Sequence, residues 1–188
     1  MPRPTRAATS STADAGDAPP PPGPDLHVVL HQPEIPFNTG SIGRTCVALG
    51  AKLWLVRPLG FRLDDRHLRR AGLDYWQYLD WEAVDDWEAL VRRLPQRRAW
   101  LLSKSGGIDY TTVGFRRGDI LVFGSETRGL PRRLLDRSPD RCLAIPMRPQ
   151  ARSLNLAVSV AVVAFEARRQ WSGSLPPANS HRGPPCGC

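Results

Sequence analysis

Short apolar runs bounded by turn residues recur along the chain and predict buried β-strands at 26–31, 52–56, 98–103, 119–123 and 141–146. Between them the period changes. Ile42, Cys46 and Leu49 share one helical face, with Asn38 placed to cap the start and Gly50 to end it. Trp87, Leu90, Val91 and Leu94 predict a helix over 85–94. Residues 64–72 predict a short basic helix with an acidic start and a glycine stop. The aromatic-rich stretch 73–81 leaves room for another strand, and the polar stretch from Lys104 through Gly114 is expected to be loop. Pro131 opens a helix over 131–136, since its fixed φ and missing N–H suit a first helical position.

Segment 153–170 fits two patterns. Leu154, Leu156, Val158, Val160 and Val162 alternate as a strand would, while Ala157, Ala161 and Ala164 fall at helical spacing. The run is too long for an ordinary strand and ends in Arg168 and Arg169, so a helix is expected. Being apolar all round, that helix has to be buried on more than one side, which suggests a subunit interface. The alternation of strands and helices predicts an α/β fold with a mostly parallel sheet.

Composition then divides the 188 residues. Residues 1–25, rich in Pro and Ala, and 171–188, rich in Pro, Ser and Gly, offer little to bury, so they are expected to be disordered. The 145 residues of 26–170 suffice for one domain with its own core. The net charge is +8, and the same excess resides within 26–170, so the folded part is basic and favours a polyanion, nucleic acid first. Neither an amphipathic basic helix nor a long apolar stretch points to a membrane. Cys46, Cys142, Cys186 and Cys188 show neither zinc-ligand spacing nor a disulfide framework, and the histidines are scattered. No metal is expected, and the chain reads as a cytoplasmic protein.

Candidate chemistry centres on Ile120–Pro131, where a buried strand runs into a loop with Gly124 and Gly129 and then into a helix start. That is the layout of a cofactor loop in an α/β domain, although it matches neither the dinucleotide fingerprint nor the P-loop. Two further blocks accompany it. Upstream lies Pro33-Glu-Ile-Pro-Phe-Asn38-Thr-Gly40-Ser-Ile-Gly-Arg44-Thr45. Downstream, Ile145-Pro-Met147 is followed by Arg152-Ser-Leu-Asn-Leu156. In this order and spacing the three blocks resemble the motifs of the SPOUT-superfamily RNA 2′-O-methyltransferases, across essentially all of 26–170. Asp64-Asp65 with Arg69-Arg-Ala-Gly-Leu-Asp-Tyr-Trp76 resembles the branch that methylates the wobble-position ribose of tRNA.

The resemblance implies a C-terminal deep trefoil knot, a homodimer through helix 153–170, tRNA as partner and S-adenosyl-L-methionine as cofactor. It carries cofactor binding to Leu102, Gly124, Gly129, Leu130, Ile145, Met147, Ser153 and Leu154, with apolar walls for an adenine at Leu102, Ile145, Met147 and Leu154. It makes Arg44 the main catalytic candidate. Arginine side chains keep their proton at physiological pH, so the expected role is to orient the 2′-hydroxyl and stabilise its alkoxide rather than to act as base. Alternatively, Arg44 is a surface residue that pairs with Glu34 or Glu126. Asn38 is expected to cap its helix or position the ribose. Glu126 is expected to orient Arg44 or the loop amides. Ser153 and Asn155 are placed to cap the last helix while touching the cofactor, and Arg66, Arg69, Arg70 and Asn155 are candidate RNA contacts. The chain departs from the family pattern at Ser41, Val158 and Phe165. Ribosomal RNA, another tRNA position, or an RNA-binding protein without catalysis are the alternative readings.

Overall fold

The computed structural model describes residues 23–63 and 75–171. The predicted basic helix with Arg66, Arg69 and Arg70, most of both tails, and Cys186 and Cys188 lie outside the described residues. The elements are β1 (Leu26–His31), α1 (Pro36–Leu49), β2 (Lys52–Val56), β3 (Trp81–Val84), α2 (Trp87–Arg93) and β4 (Ala99–Leu102). They continue with β5 (Ile108–Asp109), β6 (Asp119–Phe123), α3 (Arg132–Arg137), β7 (Cys142–Ala144) and α4 (Leu156–Trp171). The strands form one seven-stranded sheet in the order β3-β2-β1-β6-β4-β7-β5. Every neighbouring pair runs parallel.

A parallel sheet covered on both faces needs strands that are apolar on both sides, and these are. Val28 and Leu30 of β1, Leu53 and Leu55 of β2, and Leu121 and Phe123 of β6 pack with Ile42 and Cys46 of α1 and Val160, Val163 and Ala164 of α4. The alternate residues Val29, Trp54, Val56, Ile120 and Val122 pack on the other face with Val84 and with Leu90 of α2. Asp119 anchors the start of β6. Its buried carboxylate accepts from Arg98 Nε at 2.9 Å, Trp100 Nε1 at 3.0 Å and the Arg116 amide at 2.9 Å.

Several boundaries differ from the expected ones for local reasons. Helix α1 begins at Pro36 with Ile35 as its N-cap residue, so Asn38 lies inside the first turn and caps nothing. Pro36, with φ preset for a helix, starts it two residues before the best capping side chain. Gly50 does end α1, at φ 67°. Pro131 is the N-cap residue of α3 rather than its first helical residue. Helix α4 starts at Leu156 rather than at residue 153, and it keeps Trp171, which composition had assigned to the tail. Strand β5 lies in the stretch expected to be loop; two residues paired only to β7 leave no periodic trace. Among the described residues no helix is long and apolar enough to cross a membrane.

One buried pair links the sheet to pH. Trp54 Nε1 donates to His27 Nδ1 at 3.0 Å, and the imidazole is 2 % exposed. Burial, reinforced by nearby Arg97 and Lys52, lowers the His27 pKa to about 4. The folded value lies below the unfolded one, so the unfolded chain binds the extra proton as pH falls below about 6.5. Stability is therefore complete above that pH and declines through the window down to about pH 4. Between pH 7.5 and 5, above the main carboxylate range, wild type should lose about 2 kcal/mol in urea denaturation from this group. His27→Gln, which keeps an acceptor for Trp54, should show a markedly smaller loss.

Candidate active site

Three adjacent strands stop side by side. Leu102 at the end of β4 pairs with Phe123, the last residue of β6, and with Leu143 of β7. The loops leaving these ends, together with the start of α4 and residues Ile35 and Asn38, surround a cavity of about 640 Å³. The carboxyl ends of parallel strands are where α/β sheets place ligands, because the connections diverge there and leave a crevice. Leu102, Gly124, Gly129, Leu130, Ile145, Met147, Ser153 and Leu154 all line this cavity, as do Asn38, Glu126 and Asn155. Residues from positions 38, 102, 124–130 and 145–155 thus meet in one place.

The glycines of the middle loop have separate jobs. A Cβ on Gly124 would lie 2.0 Å from the Gly129 carbonyl carbon and 2.1 Å from the Leu130 nitrogen, so the loop folds back across the bare α-carbon. Gly129 has φ +69° and open space where its side chain would be. It is needed for its left-handed backbone, which turns the chain so that its amide donates to the Ser125 carbonyl at 2.9 Å. Ser125 Oγ accepts from the Arg128 amide at 3.2 Å and tightens the same turn.

Glu126 then ties this loop to α1. Its carboxylate accepts from the amides of Glu34 (2.8 Å) and Ile35 (3.3 Å) and from Asn38 Nδ2 (2.9 Å). These amides stand at the helix N-terminus, where partners are lacking within the helix and negative charge is favoured. Glu34 returns the contact, its carboxylate accepting from the Thr127 amide (3.1 Å) and hydroxyl (2.7 Å). Asn38 Oδ1 accepts from Asn155 Nδ2 at 2.9 Å, and Asn155 Oδ1 accepts from the amides of Ala157 (2.8 Å) and Val158 (3.4 Å). A single hydrogen-bonded chain therefore runs from the glycine loop through α1 to the amino end of α4. It corrects two expectations. Glu126 orients neither Arg44 nor the amides of its own loop, and Asn155 rather than Ser153 caps α4.

Arg44 stands apart. It is exposed on α1, does not line the cavity, and pairs with neither Glu34 nor Glu126; its guanidinium lies over the Tyr75 ring, 4.8 Å from the centroid. Arg44 follows Asn38 by six residues, about 1.7 turns at 3.6 residues per turn, so the helix turns it to a different face. The cavity lining also includes Ser103, Lys104 and Ser105 after β4, and the cations Arg128, Arg132 and Arg152, which were not among the expected site residues although Arg128 and Arg152 lie inside the quoted blocks. Arg132 pairs with Asp136 at 2.8 Å, whereas Lys104, Arg128 and Arg152 have no carboxylate partner among the described residues. The signal that would have found them is their place directly after strand ends or inside the quoted blocks. Among the described residues, no group of three His, Cys, Asp or Glu could hold a metal ion.

Residues 25–165 match the SpoU rRNA Methylase family. The chain belongs to this family. A tRNA (cytidine(34)-2'-O)-methyltransferase of Methylovorus glucosotrophus (strain SIP3-4) is 48% identical over 144 residues, 76% of this chain and 94% of that protein. The enzyme of the same name from Burkholderia cenocepacia (strain HI2424) is 50% identical over 148 residues, 77% of this chain and 95% of its own. A solved structure from work on the 2-OH methylation of C/U34 on tRNA shares 49% identity at TM-score 0.76, covering 79% of this chain and 97% of that one. The SpoU methyltransferase AviRb from Streptomyces viridochromogenes, in complex with AdoMet, shares 28% identity at TM-score 0.68, covering 80% and 59%.

In this SpoU domain the Gly124 contact is backbone on backbone, so no rotamer can relieve it. Gly124→Ala should cost about 1–3 kcal/mol as an overpacked site. Gly129→Ala, which meets only the left-handed penalty, should cost about 1–2 kcal/mol. Chemical denaturation of both variants checks the values. The distinguishing outcome is a disordered 124–130 loop in Gly124→Ala alone, read from amide hydrogen exchange.

Proposed function

We propose that the protein transfers a methyl group from S-adenosyl-L-methionine to the 2′-hydroxyl of the wobble-position ribose, nucleotide 34, of tRNA. The observation that carries this reading is whole-domain identity with enzymes of that name: 48% over 94% of the Methylovorus glucosotrophus protein. The rRNA reading, which the family description suggests, has weaker support. An AdoMet-bound rRNA methyltransferase from Sinorhizobium meliloti is 28% identical, and the match covers only 58% of its chain. The deep trefoil knot implied by the family belongs to the same proposal. Its support is the resemblance of the three blocks and the family match over residues 25–165.

The cavity suits the cofactor. Its volume of about 640 Å³ lies in the range of small-molecule sites, and Leu102, Leu130, Ile145, Met147 and Leu154 offer apolar walls for an adenine. Ser103, Ser125 and Ser153 line it with polar groups. When bound, the cofactor supplies a sulfonium methyl group, an electrophile open to displacement by a ribose oxygen. The chain's own residues supply position and charge. Lys104, Arg128 and Arg152, without a carboxylate partner among the described residues, give the cavity a cationic margin for RNA phosphates. Arg44 donates to the 2′-oxygen and stabilises the negative charge that develops there. A phosphate of the substrate, held near Arg44, accepts the proton. The chain from Glu126 to Asn38 and Asn155 fixes α1 against the cavity so that these groups keep their spacing.

Pairing of two chains through α4 is part of the proposal. Val158 and Phe165, one face of α4, are 48 % and 42 % exposed, and Phe37 at the start of α1 is 55 % exposed. An apolar stripe of this kind calls for a partner surface. Sedimentation velocity should show a dimer for wild type and a shift to monomer for Val158→Arg. A wild-type monomer would remove this part of the proposal.

The decisive test is methylation of unfractionated tRNA with labelled cofactor, followed by nucleoside mapping. Labelled 2′-O-methylcytidine or 2′-O-methyluridine at position 34 is expected; label elsewhere, or none, overturns the assignment. Arg44→Ala should bind cofactor within about twofold of wild type by isothermal titration, because Arg44 is outside the cavity. Its transfer rate should fall by roughly 100- to 1,000-fold, the loss typical of removing one donor to a developing oxyanion.

A further inference from the structure

Arg44 is exposed on a helix, and a long cationic side chain in that setting samples many rotamers unless something holds it. No carboxylate holds it among the described residues; an aromatic ring does. The Arg44 guanidinium carbon lies 4.8 Å from the centroid of Tyr75, well within the reach of a cation–π contact.

The ring is delivered by a docked turn. The Tyr78 amide donates to the Tyr75 carbonyl at 2.9 Å and the Leu79 amide to the Trp76 carbonyl at 3.2 Å, so residues 75–79 fold back on themselves. The turn seats on α1 at Gly43, next to Arg44 in sequence. A Cβ there would come within 3.1 Å of both Trp76 Cζ3 and Leu79 Cδ2. Leu79 is buried, and Trp76 packs against Trp81 with ring centroids 5.4 Å apart. Beyond the turn, the Asp80 carbonyl accepts from the Leu53 amide at 2.9 Å, and Trp81 enters the sheet opposite Leu53. Trp76 and Leu79 are therefore the anchors. Tyr75, 42 % exposed, contributes little to that anchoring yet covers the arginine.

We propose that Tyr75 is a positioning residue for methyl transfer: its ring holds the Arg44 guanidinium in place above α1, ready for the ribose. The proposal rests on the methyl-transfer reading for its consequence, but the Arg44–Tyr75 contact can be tested without it. The contact needs a ring, not a hydroxyl. A purely space-filling role would instead be met by a leucine.

The test compares wild type, Tyr75→Phe and Tyr75→Leu in two measurements. In single-turnover transfer to tRNA, Tyr75→Phe should stay within about twofold of wild type. Tyr75→Leu should slow transfer roughly three- to fivefold, the upper range of a cation–π contact at an exposed site, with cofactor affinity unchanged. Nitrogen-15 arginine spectra of the free protein, with Arg44 assigned by its loss in Arg44→Ala, should show a ring-current-shifted side-chain Nε–H in wild type and Tyr75→Phe only. Should Tyr75→Leu fail to fold, Tyr75→Gln takes its place. An unshifted Arg44 signal in wild type, full transfer by Tyr75→Leu, or equal losses in the Phe and Leu variants would overturn the proposal. If wild type methylates no tRNA while the Arg44 signal is shifted, the functional reading falls and the contact stands.

Discussion

The carboxylate of Glu126 sits on the amino end of α1, and the arrangement of the site depends on that placement. Helix α1 begins at Pro36 with no capping side chain of its own, and the amides that lead into it need acceptors from elsewhere. Those of Glu34 and Ile35 are met by a residue about ninety positions away in sequence, at 2.8 and 3.3 Å. A partly buried amide that loses its acceptor bears the full desolvation cost, so the glycine loop and the helix are not free to move apart. Glu34 reaches back to Thr127, which doubles the tie, and Asn38 passes it on to Asn155 and the start of α4. Neutral amides link the charged end of this chain to the next helix, so one carboxylate orders three segments without a buried cation.

The sheet makes such an economy possible. Parallel strands β6, β4 and β7 end in register, and each connection leaves in a different direction, so a crevice opens without distortion of the core. The walls are the strand-end residues themselves, and their apolar character is set by the sheet before any ligand arrives. Gly124 contributes by what it lacks: with no Cβ, the loop can lie on its own backbone and present its outer surface to the cavity. Glu126 and Glu34, the carboxylates of the quoted blocks, are engaged with backbone amides and a hydroxyl, and among the described residues Lys104, Arg128 and Arg152 at the margin have no carboxylate partner.

Arg44 follows a different logic. It belongs to the same upstream block as Asn38, but the helix carries it away from the cavity lining and toward an aromatic turn. Asn38 and Arg44 thus stand on different surfaces of α1, the first lining the cavity and the second facing the Tyr75 ring. The separation leaves the Arg44 guanidinium on the exposed face of α1, against Tyr75 and solvent, rather than among the residues that line the cavity.

Hydrophobic runs were enough to locate β1, β2, β4 and β6 and the alternation that makes the fold α/β, because burial on both faces leaves a continuous apolar signature. Blocks around Asn38, Gly124 and Ser153 also marked which loops matter, through their resemblance in order and spacing to the motifs of the family. Sequence alone did not reveal β5, whose two residues are too few for a period, or the start of α1, where Pro36 prevailed over the better capping residue. Nor could it assign partners. The role of Glu126 depends on a helix end ninety residues away, Asn155 joins Asn38 only when α4 packs on α1, and Arg44 finds Tyr75 only because a turn docks at Gly43. Local chemistry selects the elements; which side chains face one another is decided by long-range packing, and no pattern along a single chain encodes those distances.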